Sequence, residues 1–324
     1  MTRFLHARRT ALLAFLAFAT AAPLATSDAQ ASRTKKRGAS SVRRKKPVRR
    51  KASAPRIVLP RYTSPQGSAA LASDLGSLIG RVQRGEWGAM VVSLTRGDTL
   101  FAQNVGARLM PASTMKLLTS SIAFERFGPN YQLSTDIFRD GAIGADGVLH
   151  GNLYLRGDGD PALSGKFLPG GPGEPMRRLA DMIAAAGIKR VTGSIVGDAS
   201  GFDDQKIPEG WLSRYLQASY AARVSALSLN ENLVAVAVTP TSPGQPASVA
   251  LEPSSSGIPL VNSTRTVSGA GTRLSFRKQS DGTIYAMGTI GSRAGTRKYV
   301  YIVDDPATFA TGALRNALIT RGVT

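Results

Sequence analysis

Three serines in this chain stand three residues ahead of a lysine: Ser32 and Lys35, Ser113 and Lys116, Ser275 and Lys278. The spacing matters because a serine hydroxyl is a poor nucleophile until a base takes its proton during attack. A lysine can be that base only when neutral. Its pKa must then fall from about 10.4 towards neutrality, roughly 4 kcal/mol that desolvation and neighbouring cations have to supply. The start of a buried helix suits this chemistry. Residues i and i+3 stack on one face there, and the unbonded N–H groups of the first turn are available to a developing oxyanion.

The elements around each pair separate them. Ser32 and Lys35 belong to "SRTKKRGASSVRRKKPVRRKASAP" (32–55), which holds eleven Lys or Arg and no acid. Such a segment has almost no apolar surface to bury and repels itself, so it is expected to be disordered, with nothing to desolvate a lysine. Ser275 and Lys278 lie in "RLSFRKQ", whose alternation predicts a strand that points i and i+3 to opposite faces. Ser113 alone opens a hydrophobic helix, carrying Met115, Leu117, Leu118, Ile122 and Phe124 before it ends at Phe127-Gly128-Pro129. Those residues cover most of the circumference, so the helix is expected to be central and buried. The competing reading makes Ser113 a helix cap and Lys116 a cation whose stem lies along the apolar surface.

The rest of the chain sets bounds. Arg3, Arg8 and Arg9 precede "ALLAFLAFA" (11–19), and small residues follow as far as Ala29-Gln30-Ala31, so residues 1–31 read as an export signal. Residues 32–67 form a basic linker. Residues 1–51 carry 14 basic and 1 acidic groups, against 27 and 20 in the remainder. The high net charge is thus mostly a property of the tail, which suits an anionic membrane surface or wall polymer and implies no nucleic acid. The chain has no cysteine, which excludes disulfides and zinc–thiolate sites.

Ordered elements are expected from residue 68. Residues 69–82 have helical spacing, and "GAMVVSL" and "TLFAQN" flank the turn "TRGD" as a hairpin. After residue 130 short strands dominate, interrupted by helices at 174–190 and 307–323, with loops around 164–175 and 240–258. Many strands with few helices suggest an α+β unit distinct from the first. Asp158 and Asp160 in "GDGDPALSG" lack the closing Glu of a calcium loop and read as a turn, and Asp203-Asp204 reads as a loop pair. His6 and His150 make no metal cluster. No cofactor or metal is implied.

The stretch "LMPASTMKLLTSSIAFERFGPNYQLSTDIF" resembles the class C low-molecular-mass penicillin-binding proteins, the D-alanyl-D-alanine carboxypeptidase/endopeptidase family. The resemblance continues through "GNLYLRGDGDPAL", "VTGSIVGDASGFDD", "VSALSLNENLVAVAV" and "YVYIVDDPATFATGALRNALITRGV". It implies an α+β fold: the N-terminal part of a serine β-lactamase/transpeptidase-like domain over 68–130, then an inserted β-rich module over 131–320. Residues 321–324 would begin the return to the catalytic domain. The resemblance makes Ser113 the acylated nucleophile and Lys116 its general base. It also implies peptidoglycan stem peptides as substrate, β-lactams as inhibitors, and a periplasmic or cell-envelope location.

The chain departs from that pattern in three places. It contains no K-T-G or K-S-G, the third motif of penicilloyl-serine enzymes. Its one S-x-N, Ser228-Leu229-Asn230, falls in the inserted module, whereas the family's catalytic S-x-N follows later. The sequence therefore reads as the front half of a longer protein or a truncated one, inactive as it stands. Arg214 and Tyr215 follow Trp211 where the family often places a carboxylate for the stem-peptide amine. A β-lactamase and a non-catalytic wall-binding protein remain the alternative readings.

Overall fold

The computed structural model describes residues 2–8, 67–81 and 85–324. The expected signal and basic linker lie outside the described residues, except for a strand β1 (Thr2–Arg8). The described residues divide at Gly128/Pro129 into two compact units, with β1 belonging to the later one.

The earlier unit holds helix α1 (Ser68–Ile79), strands β2 (Ala89–Val92) and β3 (Thr99–Gln103), and helix α2 (Met115–Phe127). The two strands form an antiparallel hairpin, and α1 brings Gly76 against the Phe101 ring. The turn of the hairpin is held by Arg96, whose guanidinium forks onto the Asp98 carboxylate at 3.0 and 3.2 Å from Nε. That pair accounts for the Arg-Gly-Asp sequence as turn chemistry. Glycine at position 97 is required there because φ is +72°.

The later unit is β-rich. Strands β4 (Ser134–Arg139), β5 (Ala142–Ile143), β6 (Val148–His150), β7 (Leu153–Gly157), β8 (Arg190–Val191) and β9 (Ile195–Asp198) make two sheets. Their orders are β1-β4-β7-β9 and β5-β6-β8. Two further sheets use β10 (Leu233–Thr239), β11 (Ser248–Glu252), β12 (Leu260–Val267), β13 (Thr272–Lys278), β14 (Ile284–Gly291) and β15 (Arg297–Ile302). These run β11-β10-β15 and β12-β14-β13.

Two helices close the core. Helix α3 (Glu174–Ala185) has Pro175 in its first turn and buries Met176, Leu179, Ala180 and Ile183 on one side. Glu174 at its start pairs with Arg177 and Arg178 on the outside. Helix α4 (Pro306–Thr320) is capped by Asp305, which accepts from the Thr308 N–H, and it stops at Gly322 with φ +78°. Its Phe309, Ala310, Ala313 and Leu314 join Ile137, Leu153, Leu155, Leu227 and Val236 in the core. Alanine at 312 would be crowded, since a Cβ there meets the Gly257 nitrogen and Ser255 Oγ. Among the described residues no helix is long and apolar enough to cross a membrane.

The main difference from expectation concerns α2. None of its residues is buried. Leu117 is 71% exposed and Leu118 59%, with Ile122, Phe124 and Phe127 also exposed. The apolar pattern marks a helix that needs cover on most sides, and the described residues of this unit offer only α1 and one hairpin. Residues 260–267 form a strand without apolar alternation. Its "NSTRT" run is polar on both faces, because Thr264 and Thr266 occupy buried positions normally filled by apolar side chains.

Candidate active site

Ser113 does not cap α2. It sits in a single 3₁₀ turn (Ala112–Thr114) leading into the helix, and neither helical start has a side-chain cap. The turn is fixed by Thr114, whose N–H and hydroxyl both donate to the Pro111 carbonyl, at 3.0 and 2.5 Å. Ala112, directly before the serine, has φ +43°. That left-handed conformation is disfavoured for any side chain with a Cβ. The strain sits beside the serine, and nothing in the amino-acid pattern signals it.

Lys116 reaches back one turn and donates from Nζ to Ser113 Oγ at 2.9 Å. Of the two readings of Ser113, the hydroxyl is thus engaged by lysine and not by the helix N–H groups. Both side chains are exposed. The helix after them uses polar residues internally: Thr119 Oγ1 donates to the Met115 carbonyl and Ser121 Oγ to that of Leu117. Neither hydroxyl is on the Ser113–Lys116 contact.

The pair on β13 separates as its context implies. Ser275 is exposed on β13 while Lys278 points inward, donating to the Ile302 carbonyl at 2.6 Å and pairing with Asp304 at 2.6 Å. Ser32 and Lys35 lie outside the described residues. The S-x-N match is structural. Asn230 is buried, accepts from the Gly165 N–H at 2.7 Å and donates to the Pro172 carbonyl at 2.8 Å. Ser228 donates to the Ser225 carbonyl and accepts from Asn232. Residues 230–232 all have positive φ, so side-chain bonds from the two asparagines hold an unusual left-handed turn in place.

Asp158 accepts from the N–H and hydroxyl of Ser134, Asp160 from the Ala162 N–H, and Asp203 from the Gln205 N–H. These are turn contacts. Among the described residues no group of three His, Cys, Asp or Glu is placed to hold a metal. Arg214 donates to the Tyr215 hydroxyl at 3.0 Å and lies over that ring.

A hydroxyl in contact with a lysine one turn away, at a helix entrance in an α+β protein, has the form of a serine–lysine acyl-transfer site. Comparison with known proteins gives that form a family. Residues 68–324 match the D-Ala-D-Ala carboxypeptidase 3 (S13) family, and the chain belongs to it. It is 31% identical over 247 residues to a D-alanyl-D-alanine carboxypeptidase of an Actinomadura species, covering 73% of this chain and 44% of that protein. It is 26% identical over 145 residues to the carboxypeptidase DacB of Haemophilus influenzae, covering 45% of this chain and 28% of that one. The crystal structure of penicillin binding protein 4 from H. influenzae superposes with a TM-score of 0.55 at 19% identity, covering 78% of this chain and 54% of that one. That likeness agrees with the α+β fold. The chain spans about half or less of the length of these relatives.

Proposed function

We propose that this chain carries the nucleophile and base of a serine-type D-Ala-D-Ala carboxypeptidase/endopeptidase. The observation that carries the proposal is the 2.9 Å contact from Lys116 Nζ to Ser113 Oγ, in a chain of the S13 family. In the reacting state Lys116 is neutral and takes the Ser113 proton. The oxygen then attacks the carbonyl carbon of the penultimate D-Ala of a stem peptide. The tetrahedral oxyanion collapses by expelling the amine of the terminal residue, protonated by the same lysine, and leaves an acyl ester on Ser113. Water, deprotonated in turn, hydrolyses that ester. If the expelled amine belongs to a neighbouring stem, the same step opens a cross-link. A β-lactam follows the first half of this route, with its ring amide as the acyl donor.

Turnover asks for more than the pair. A tetrahedral oxyanion needs converging donors, and losing one costs about 10²–10³ in rate. No other polar side chain among the described residues touches Ser113 Oγ in the structure, and the S-x-N is buried elsewhere. The leader and basic linker support an envelope location, the linker resting on anionic headgroups or wall polymer. Treatment with a fluorescent penicillin, followed by peptide mass spectrometry, tests the assignment. The adduct should map to Ser113 and vanish in Ser113→Ala; an adduct that persists in that variant overturns it.

A further inference from the structure

The sheet β12-β14-β13 turns one face to the core and one to solvent. Its register defines the outer face as three rows across the strands. The first is Val261, Tyr285 and Arg277; the second Ser263, Met287 and Ser275; the third Arg265, Thr289 and Arg273. The flanking residues of each row are exposed and the central three half-buried. No carboxylate stands among the nine.

Some cations of this unit are matched to carboxylates. Lys278, on the inner face of the same strand as Arg273 and Arg277, pairs with Asp304, which also holds Arg223 at 3.1 Å. Lys298 pairs with Glu252 at 2.6 Å. Among the described residues none of the three face arginines has a carboxylate partner, and only Arg265 makes a side-chain bond, to the Gly244 carbonyl at 3.3 Å. Arg265 and Arg273 lie two strands apart, about 10 Å, and Arg273 and Arg277 about 13–14 Å along one strand. The three arginines thus flank the half-buried Tyr285 and Met287, and Ser263, Ser275 and Thr289 share their rows.

We propose that this face binds a linear polymer of phosphodiester-linked polyols. Guanidinium is suited to it because its planar fork meets the two free oxygens of a phosphodiester side by side. Carbon segments between phosphates would lie over Tyr285 and Met287, and polyol hydroxyls would meet Ser263, Ser275 and Thr289. A lipid surface fits less well. Its two central large apolar side chains, Tyr285 and Met287, are half-buried, and Val261 is the one exposed apolar residue among the nine, too little to enter a bilayer interface. The site owes nothing to Ser113, so it stands apart from the catalytic proposal.

The basic linker would bind any polyanion, so the test uses the full chain with its eleven Lys and Arg of 32–55 replaced by Ser and Gln. In that background, binding of poly(glycerol phosphate) is measured against salt. Changing Arg265, Arg273 and Arg277 to Gln should weaken binding at least tenfold and lower the slope of log K against log salt by about 2–3, as loss of three charge contacts requires. The same change at the exposed Arg81, Arg190 and Arg315 should leave binding within twofold, and thermal midpoints should agree among all three proteins. Equal weakening in both triple variants would show a net-charge effect and overturn the site. Equal or tighter binding to phosphatidylglycerol vesicles, or to a polyuronate without phosphate, would overturn the polymer assignment.

Discussion

The residues from 129 onward and the residues from 67 to 128 are built to different standards. In the first, Leu153, Leu155, Leu227, Val236, Ile290 and Phe309 are completely enclosed. In the second no described residue is buried at all, although its composition is no less apolar. Stability therefore resides in one region and the serine–lysine pair in the other. The contrast separates what local sequence can do from what needs tertiary cover. A helix with the right spacing and a strained turn at its mouth brings Lys116 onto Ser113 without any core. Excluding water from that pair requires surfaces that α1 and one hairpin do not supply.

Hydrogen exchange should show the contrast at its largest. Amides of β7, β10, β14 and α4 should be protected by the global stability of their unit, whereas α2 should exchange through low-cost local opening, orders of magnitude faster. Comparable protection in α2 would mean that the earlier unit has a core of its own. Core truncation gives the next largest effect. Phe309→Ala should cost about 3–5 kcal/mol in denaturant unfolding, while Leu118→Ala should stay within about 0.5 kcal/mol. A large loss at Leu118 would contradict its exposure. Removing the cap of α4 with Asp305→Ala should cost about 1 kcal/mol, because the first-turn N–H of Thr308 loses its acceptor. An unchanged midpoint would place the stability of α4 wholly in its packing.

The smallest effect expected is acid sensitivity at Asp140. Its carboxylate accepts from the Asn152 N–H, the Asn152 side-chain amide and the Tyr154 hydroxyl, and these hold its pKa down to about 2. A depressed carboxylate contributes stability above its unfolded pKa and loses it as pH falls through the folded one. The contribution should fade between about pH 4 and pH 2. Asp140→Asn should flatten the pH dependence in that window and leave the dependence near pH 7 alone. An unaltered acid limb would rule out Asp140 as its source.

Much of this was legible along the chain. The breaker Gly128-Pro129, the alternation of "RLSFRKQ" and the caps of α4 are local signals, and local signals place elements. Ser113 stood out from the other two pairs for the same reason: only its context was a helix start. Three things were not legible. The exposure of α2 depends on what packs against it, and the same apolar pattern serves a buried helix and an uncovered one. The left-handed Ala112 carries no compositional mark, since alanine is not a residue that favours positive φ. The strand at 260–267 buries Thr264 and Thr266, the latter sharing a hydroxyl bond with Thr241 at 3.1 Å, so it lacks the apolar alternation that marks a strand.

The proposed activation of Ser113 by Lys116 is read in the rate of acylation. Purified chain is mixed with excess fluorescent penicillin at pH 7–8, and label on the Ser113 peptide is followed with time, in wild type and in Lys116→Ala. Labelling of Ser113 should be slow but selective, and reduced by about 10²–10⁴-fold without the lysine. Equal labelling rates in the two proteins would contradict it, and would leave the 2.9 Å contact as a hydrogen bond without a catalytic role.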